Sequence, residues 1–292
     1  LGDVYKRQTP AGEIPLEDRI VAELCADRYR LLDAHAYDRQ RALFPQELFT
    51  FLATTQPKEW ARLGTRLGAQ REEKVLDELD RITRLPLHSH SGILEILRDG
   101  IALAGVDLTL VYFAPPNDLN PTLVAGWRGN RFGVTRQLRY STAHPQRSVD
   151  LVLSLNGIPL VTIELKDRYS GQGVAQACHQ YRTSRSKSHP LFAPLRRTLV
   201  HFAVDNYAVQ MTTRLDGART RFLPFNRDHT QTTPSTDGHH PIRTGYLWTE
   251  TLAPDRLLTL LQRYLFVDRS RSTPTLIFPR YHQLDAVEHL LT

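Results

Sequence analysis

A chain of 292 residues has room for one large domain or two smaller ones. With 41% apolar and 23% charged residues it can build a sizeable core, which excludes a disordered or fibrous chain. The net charge of +6 fits a polyanionic partner such as nucleic acid, but a globular protein that happens to be basic has the same balance. Only five of the 37 basic residues are Lys, and an Arg excess can reflect a GC-rich gene, so it is not counted as a phosphate signal.

Taken in order, the chain opens on LGDVYKRQ (1–8), which reads as a translated sequencing adapter and is set apart from the fold. Leu16, Ile20, Val21 and Leu24 recur at helical spacing and predict a helix over 15–34. Further helices are predicted over 45–53, 59–84 and 92–104, so residues 9–85 form a helical N-terminal region. The β-branched and aromatic run at 107–114 predicts a strand, broken by Pro115, Pro116 and Asn117. Strands follow over 131–140, 149–155, 158–166, 198–204 and 207–213, with a helix over 171–185. A polar loop over 226–243 is long enough to be functional. After it, 254–266 predicts an amphipathic helix, 268–275 a linker, 276–278 a short strand, and 281 onward a last helix. That helix has no room to finish a domain, so the chain reads as an N-terminal fragment. Cys25 and Cys178 form neither a disulfide framework nor a zinc spacing, which fits a reducing cytoplasm. No run approaches the roughly 18 apolar residues of a membrane span, so no membrane partner is expected.

The stretch with most chemistry is VDLVLSLNGIPLVTIELK (149–166). An Asn-Gly turn joins two greasy strands whose ends carry Asp150, Glu164 and Lys166. Glu164 and Lys166 are two apart and share a face. A strict two-residue turn would pair Leu155 with Ile158 and set Asp150 opposite Ile163, one position short. A three-residue connection or a bulge would set Asp150 opposite Glu164, and Pro159, which lacks a ladder donor, favours such an irregular join. Two carboxylates on one face repel unless a divalent cation joins them, and oxygen ligands suit Mg²⁺. Such a metal polarises a phosphoryl oxygen and acidifies a bound water, while a neighbouring Lys stabilises charge on phosphorus. The bland alternative is a strand-end Glu–Lys ion pair with Asp150 capping a turn.

These residues resemble the PD-(D/E)xK nuclease core. More closely, the chain resembles the restriction (R) subunit of type I restriction–modification enzymes. The likeness runs in order through NRFGVTRQLRYS (130–141), the hairpin, HQYRTSR (179–185), LVHFAVDNYAVQMTTRL (199–215), TRFLPFN (220–226), GYLWTE (245–250) and FPRYHQLDAV (278–287). The resemblance implies an α/β fold, a mixed sheet flanked by helices and preceded by the helical N-terminal region. It implies that Asp150 and Glu164 bind the metal and Lys166 is catalytic. It also implies an auxiliary or DNA-positioning role for the next helix, where the Gln four residues before Tyr181 is replaced by Ala177. Gln180 and Tyr181 are adjacent, and Gln176 one turn earlier is the candidate substitute. FPRYHQLDAV resembles the start of a superfamily 2 helicase motor, in which Gln283 would read adenine with Phe278 or Arg280 nearby. No GxxxxGK[ST] occurs, so these residues alone cannot cradle ATP phosphates.

Weaker signals remain. Arg182, Arg185 and Lys187 could contact DNA phosphates or form a solvated helix end. Arg131, Arg136 and Arg139 are similar. His88 with His90, and His239 with His240, fit solvated loops better than metal sites. Gly171 and Gly173 lack the third Gly of a dinucleotide loop. The expected layout is a nuclease domain over 86–250, a connector over 251–275 and a truncated motor start over 276–292. The function implied is Mg²⁺-dependent cleavage of double-stranded DNA, coupled to ATP in the full-length protein and carried out with modification and specificity subunits. A stand-alone repair or junction nuclease, a non-catalytic DNA-binding or docking module and a helicase accessory domain are the rival readings.

Overall fold

A computed structural model describes residues 13–85, 92–167, 171–227, 242–270 and 272–291. In chain order the elements are α1 (Glu13–Ala26), β1 (Tyr29–Leu31), α2 (Pro45–Thr55), α3 (Pro57–Leu67), α4 (Arg71–Thr83), α5 (Ile93–Asp99), β2 (Ile101–Leu103) and β3 (Val106–Leu108). Then come α6 (Pro121–Arg128), β4 (Phe132–Arg139), β5 (Ser148–Leu155), β6 (Ile158–Leu165), α7 (Val174–Ser184), β7 (Val200–Val204), β8 (Val209–Thr212) and β9 (Leu223–Pro224). The chain ends with α8 (Pro254–Thr259), β10 (Phe266–Asp268), β11 (Thr275–Ile277) and α9 (Tyr281–Leu291). Proline opens α2, α3, α6 and α8, where its fixed φ suits the first turn and its missing N–H costs nothing. Among the described residues no helix is long and apolar enough to cross a membrane.

The expected mixed sheet flanked by helices is present. Seven strands run in the order β1-β4-β5-β6-β7-β8-β9, with β1 parallel to β4, β6 parallel to β7, and the other neighbours antiparallel. Alternation along β6 divides its side chains. Val161, Ile163 and Leu165 join the large apolar cluster that also holds α1 and the N-terminal helices. On the other face, a smaller cluster around Val152, Ala177, Tyr181 and Ala203 packs α7 onto the sheet.

Several expected elements change form. The helix predicted over 15–34 ends at Ala26; Arg28 turns the chain with φ 63, and the next three residues become β1. The helix predicted over 59–84 is two, because Gly68 takes φ +56 and ends α3. The strand predicted over 107–114 shrinks to β3, which pairs only with β2 outside the main sheet. The helix expected over 92–104 stops at Gly100, where φ is +77 and a Cβ would lie 2.4 Å from the Leu108 carbonyl oxygen. Helix α6, capped by the Asn120 side chain, and strand β10 were not anticipated. Residues 1–8, His88, His90, His239 and His240 lie outside the described residues, as does most of the polar loop over 226–243.

The β5–β6 turn is a structural anchor at the end of the sheet away from Asp150. Asn156 and Gly157 both take positive φ (51 and 81), the pattern of a tight hairpin turn. The Asn156 side chain is fully buried. Its Nδ2 donates to the Leu110 carbonyl at 2.8 Å, and its Oδ1 accepts from the Arg131 N–H at 2.7 Å. The Gly157 carbonyl accepts from the Phe44 N–H at 2.8 Å, which seats the start of α2 on the turn. A Cβ at Gly157 would fall 2.4 Å from the Phe44 carbonyl oxygen. Gly157→Ala is therefore expected to lower unfolding stability by about 2 kcal/mol or more, since both the φ and the backbone contact oppose it. A shift in the urea midpoint at unchanged slope measures this; an unshifted midpoint would show that the turn relaxes freely.

Candidate active site

The register of the hairpin decides where its charges meet. The two-residue turn is kept, with Leu155 paired to Ile158 and Ser154 to Pro159. Between Ser154 and Leu153 the register shifts, so that Leu153 pairs with Val161 and Leu151 with Ile163. Leu160 is the extra residue of a β-bulge. Continued by one step, this register sets Asp150 opposite Glu164, the arrangement that the charge spacing demanded.

At that step the sheet forks. The β5–β6 ladder stops at Leu151–Ile163, while Glu164 and Leu165 stay paired to Ala203 and Val204 of β7. The Asp150 carboxylate spans the opening, taking the Leu165 N–H at 2.7 Å on Oδ2. Its Oδ1 accepts from the Gln137 side-chain amide at 3.2 Å. Gln137 lies opposite Asp150 on β4 with φ 47, and the same amide nitrogen donates to Glu17 of α1 at 2.8 Å. Lys166 continues the β6–β7 pairing through its N–H to the Val204 carbonyl at 2.9 Å. Its Nζ donates to the Leu165 carbonyl at 2.9 Å, beside the fork.

Glu164 is fully buried. Its Oε1 accepts from Arg185 Nε at 2.7 Å, and Arg185 Nη2 is ion-paired with the same oxygen at 2.6 Å. Its Oε2 is buried and has no hydrogen-bond partner among the described residues. Burial pushes the Glu164 carboxyl up to about 8, the Asp150 charge pushes the same way, and Arg185 and Lys166 oppose them. An orphaned carboxylate oxygen beside a second carboxylate is the environment that a hard divalent cation satisfies. Among the described residues no group of three or more His, Cys, Asp or Glu side chains could hold a metal, so water and substrate oxygens would have to complete the shell. Mg²⁺ commonly binds through one or two carboxylates in this way.

The helix after the hairpin is tied to the same sheet face. Tyr181 is fully buried, and its hydroxyl lies 2.8 Å from Thr162 Oγ1, which in turn lies 2.7 Å from His201 Nδ1. Thr162 is two residues before Glu164 on the same face. Burial, with the Glu164 charge second, raises the Tyr181 phenol well above its ordinary value, and burial lowers His201 to about 3, so both are neutral. Tyr181 thus holds α7 against β6 and offers no surface to DNA. Gln176 is exposed and accepts the Gly173 N–H at 2.9 Å as a helix cap, while Gln180 is half-buried.

The basic cluster does not act as one surface. Arg185 is corrected: it is buried against Glu164, not turned to a DNA backbone. Lys187 is exposed and paired with Asp216 at 2.5 Å. Arg182 donates to the Thr220 carbonyl at 3.1 Å and lies over the Phe222 ring. Arg131 pairs with Glu47, and Arg136 with Glu17 and Asp18. Phe278 is also corrected: expected beside a nucleotide base, it is buried with its ring centroid 6.0 Å from those of Phe202 and Phe225. Arg280 and Gln283 are exposed, and Gln283 Oε1 accepts the Arg280 N–H at 2.8 Å at the start of α9. Gln137, Glu17 and the Glu164 contact of Arg185 had no sequence signal, since only the fold brings them to the fork.

The model of the type I restriction enzyme R protein N terminus matches residues 33–220, more than half of the chain. The chain belongs to this family. It is similar to the endonuclease subunit of a type I restriction enzyme from Staphylococcus saprophyticus, 27% identical over 215 residues, covering 71% of this chain and 20% of the relative. Endonuclease subunits of type I restriction enzymes from Staphylococcus aureus strains MSSA476 and MW2 are each 26% identical over 201 residues, covering 67% of this chain and 19% of the relative. The chain therefore spans about a fifth of the length of these R-protein relatives. The matched region includes the whole hairpin and α7.

The raised Glu164 carboxyl makes a pH prediction for the metal-free protein. Below its ordinary value of 4.5, folded and unfolded chains both hold the proton. From there to about pH 8 the unfolded chain releases it while the folded chain keeps it, so folding stability falls as pH rises. Glu164→Gln cannot titrate and is expected to flatten that slope. Urea midpoints at pH 5 and pH 8 in chelator, wild type against variant, measure it; parallel slopes would contradict the buried acid.

Proposed function

We propose that the chain is the Mg²⁺-dependent nuclease module of a type I restriction subunit, which cuts double-stranded DNA. The observation that carries this reading is the fork, where Asp150 faces Glu164, whose buried Oε2 has no partner among the described residues, with Lys166 two residues on along the chain. Asp150 and Glu164 would hold the cation. Bound there, Mg²⁺ supplies a Lewis acid for the phosphoryl oxygen and lowers the pKa of a water ligand. Lys166 contributes a cation on the strand that carries Glu164, where it orients the attacking water or stabilises negative charge developing on the phosphate. The backbone N–H of Leu165 and the Gln137 amide fix the Asp150 carboxylate, so its position does not depend on the ion.

The family and the endonuclease relatives support the restriction role. In the full-length protein the proposal includes an ATP-driven motor, because the match covers only 20% of the relative's length and no phosphate-binding loop occurs in these residues. Partner modification and specificity subunits would supply target recognition. The proposed location is the cytoplasm, where the DNA and a reducing environment are found.

In the full-length protein assembled with its partners, Lys166→Ala is expected to cut DNA cleavage by about 100-fold or more while ATP hydrolysis continues. Full cleavage by that variant would defeat the assignment. Chelation should likewise stop cleavage, and added Mg²⁺ should restore it; cleavage that persists in excess chelator would remove the metal from the proposal.

A further inference from the structure

We propose that Arg185 is a positioning residue of the metal site: it clamps one oxygen of Glu164 and thereby presents the other, Oε2, to the cation. The proposal rests on the nuclease reading above. Four contacts carry it. Arg185 Nε and Nη2 both converge on Glu164 Oε1, at 2.7 and 2.6 Å. Nη2 also donates to the Ser148 carbonyl at 2.5 Å, and Nη1 donates to the Tyr140 hydroxyl at 3.1 Å. Glu164 Oε2 is left without a hydrogen-bond partner among the described residues.

The geometry separates a fixed clamp from a cation that merely fills in until a metal arrives. A surrogate cation should be able to leave. The Arg185 side chain is only 3% exposed, and every one of its nitrogens is engaged. Its guanidinium also lies 5.3 Å from the centre of the Tyr140 ring. The Tyr140 hydroxyl donates to the Ser184 carbonyl at 2.9 Å, closing a loop through the residue before Arg185. Ser148 lies two residues before Asp150 on β5. One guanidinium therefore joins the strand of the first acid, the side chain of the second and the end of α7. It does so where the β5–β6 ladder has stopped and no backbone pairing fixes the separation of the two acids. A planar fork with several donors suits this task, and a lysine ammonium cannot span all three acceptors.

The test measures Mn²⁺ binding to the 292-residue chain from the loss of the free-ion electron paramagnetic resonance signal. Melting curves run alongside. Arg185→Ala is expected to weaken Mn²⁺ binding about tenfold or more in folded protein. Arg185→Lys is expected to recover the melting temperature but to remain at least about threefold weaker, because it restores charge without the fork. Tyr140→Phe, which removes one Arg185 acceptor and keeps the arginine, should weaken binding in the same direction, and it decides the matter if Arg185→Ala does not fold. Wild-type affinity in Arg185→Ala and Tyr140→Phe would overturn the proposal. Tighter binding in Arg185→Ala would also overturn it, by making the arginine a competitor of the metal. Glu164→Gln separates the two claims. If Mn²⁺ binds that variant as it binds wild type, the metal-site reading itself fails, and the clamp with it.

Discussion

An acid cut off from solvent must keep its proton or find a counter-charge inside the protein. Glu164 is that acid, and the arrangement around it follows from the need. It sits on β6, in the centre of the sheet, with β5 on one side and β7 on the other. Burial raises its proton affinity, and a second acid nearby raises it further. Arg185 answers part of this with a buried ion pair. Breaking such a pair by removing one partner costs about 3–5 kcal/mol in comparable cases, because the remaining charge stays buried. Yet the pair is incomplete, since one carboxylate oxygen has no hydrogen-bond partner among the described residues. A fold optimised for stability alone would satisfy that oxygen or replace the acid with an apolar residue. An unsatisfied buried acid beside a second carboxylate is the feature on which the proposed metal site rests.

The strands are arranged to keep the space between the two acids open. If β5 and β6 stayed paired to their ends, backbone hydrogen bonds would close the space between Asp150 and Glu164. Instead β6 continues with β7 in parallel, and β5 continues with β4. The Leu165 N–H that the ladder releases is taken up by the Asp150 side chain, so the opening leaves that donor paired. The bulge at Leu160 serves the same end from inside the hairpin. It adds one residue to the return strand and brings two acids to one face that a regular hairpin would have offset by one position.

How much of this was legible depends on the range of the interaction. The Asn156-Gly157 turn and the alternation beside it are local, and the hairpin follows from them. The bulge was legible as a condition, because only an irregular join lets Asp150 reach Glu164. Strand β1 was not legible: three residues show no period, and Leu31 is more than half exposed. The division of α3 from α4 turns on the conformation of Gly68 within an otherwise periodic stretch. Arg185 shows the limit most plainly. In sequence it belongs to a basic helix end, where exposed and buried arginines look alike. Its burial depends on Tyr140, Ser148 and Glu164, which lie 21 to 45 residues away. Phe278 fails for the same reason: the aromatic set that encloses it comes from β7 and from the segment after β9.

The two ends of the hairpin divide the labour. At the turn, the Asn156 side chain and the Gly157 carbonyl are matched: Asn156 is buried, its amide and carbonyl both find partners, and α2 sits on the Gly157 carbonyl. At the fork, matching is left unfinished at one oxygen. The first end supplies rigidity, since a close-packed, hydrogen-bonded turn cannot slide by a residue without exposing its whole apolar set. The second end uses that rigidity. The proposed metal site, with only two side-chain ligands, would tolerate little drift in either, and the strands that hold them are no longer paired to each other at that point. Their spacing must therefore be inherited from the paired part of the hairpin and from the guanidinium that bridges them.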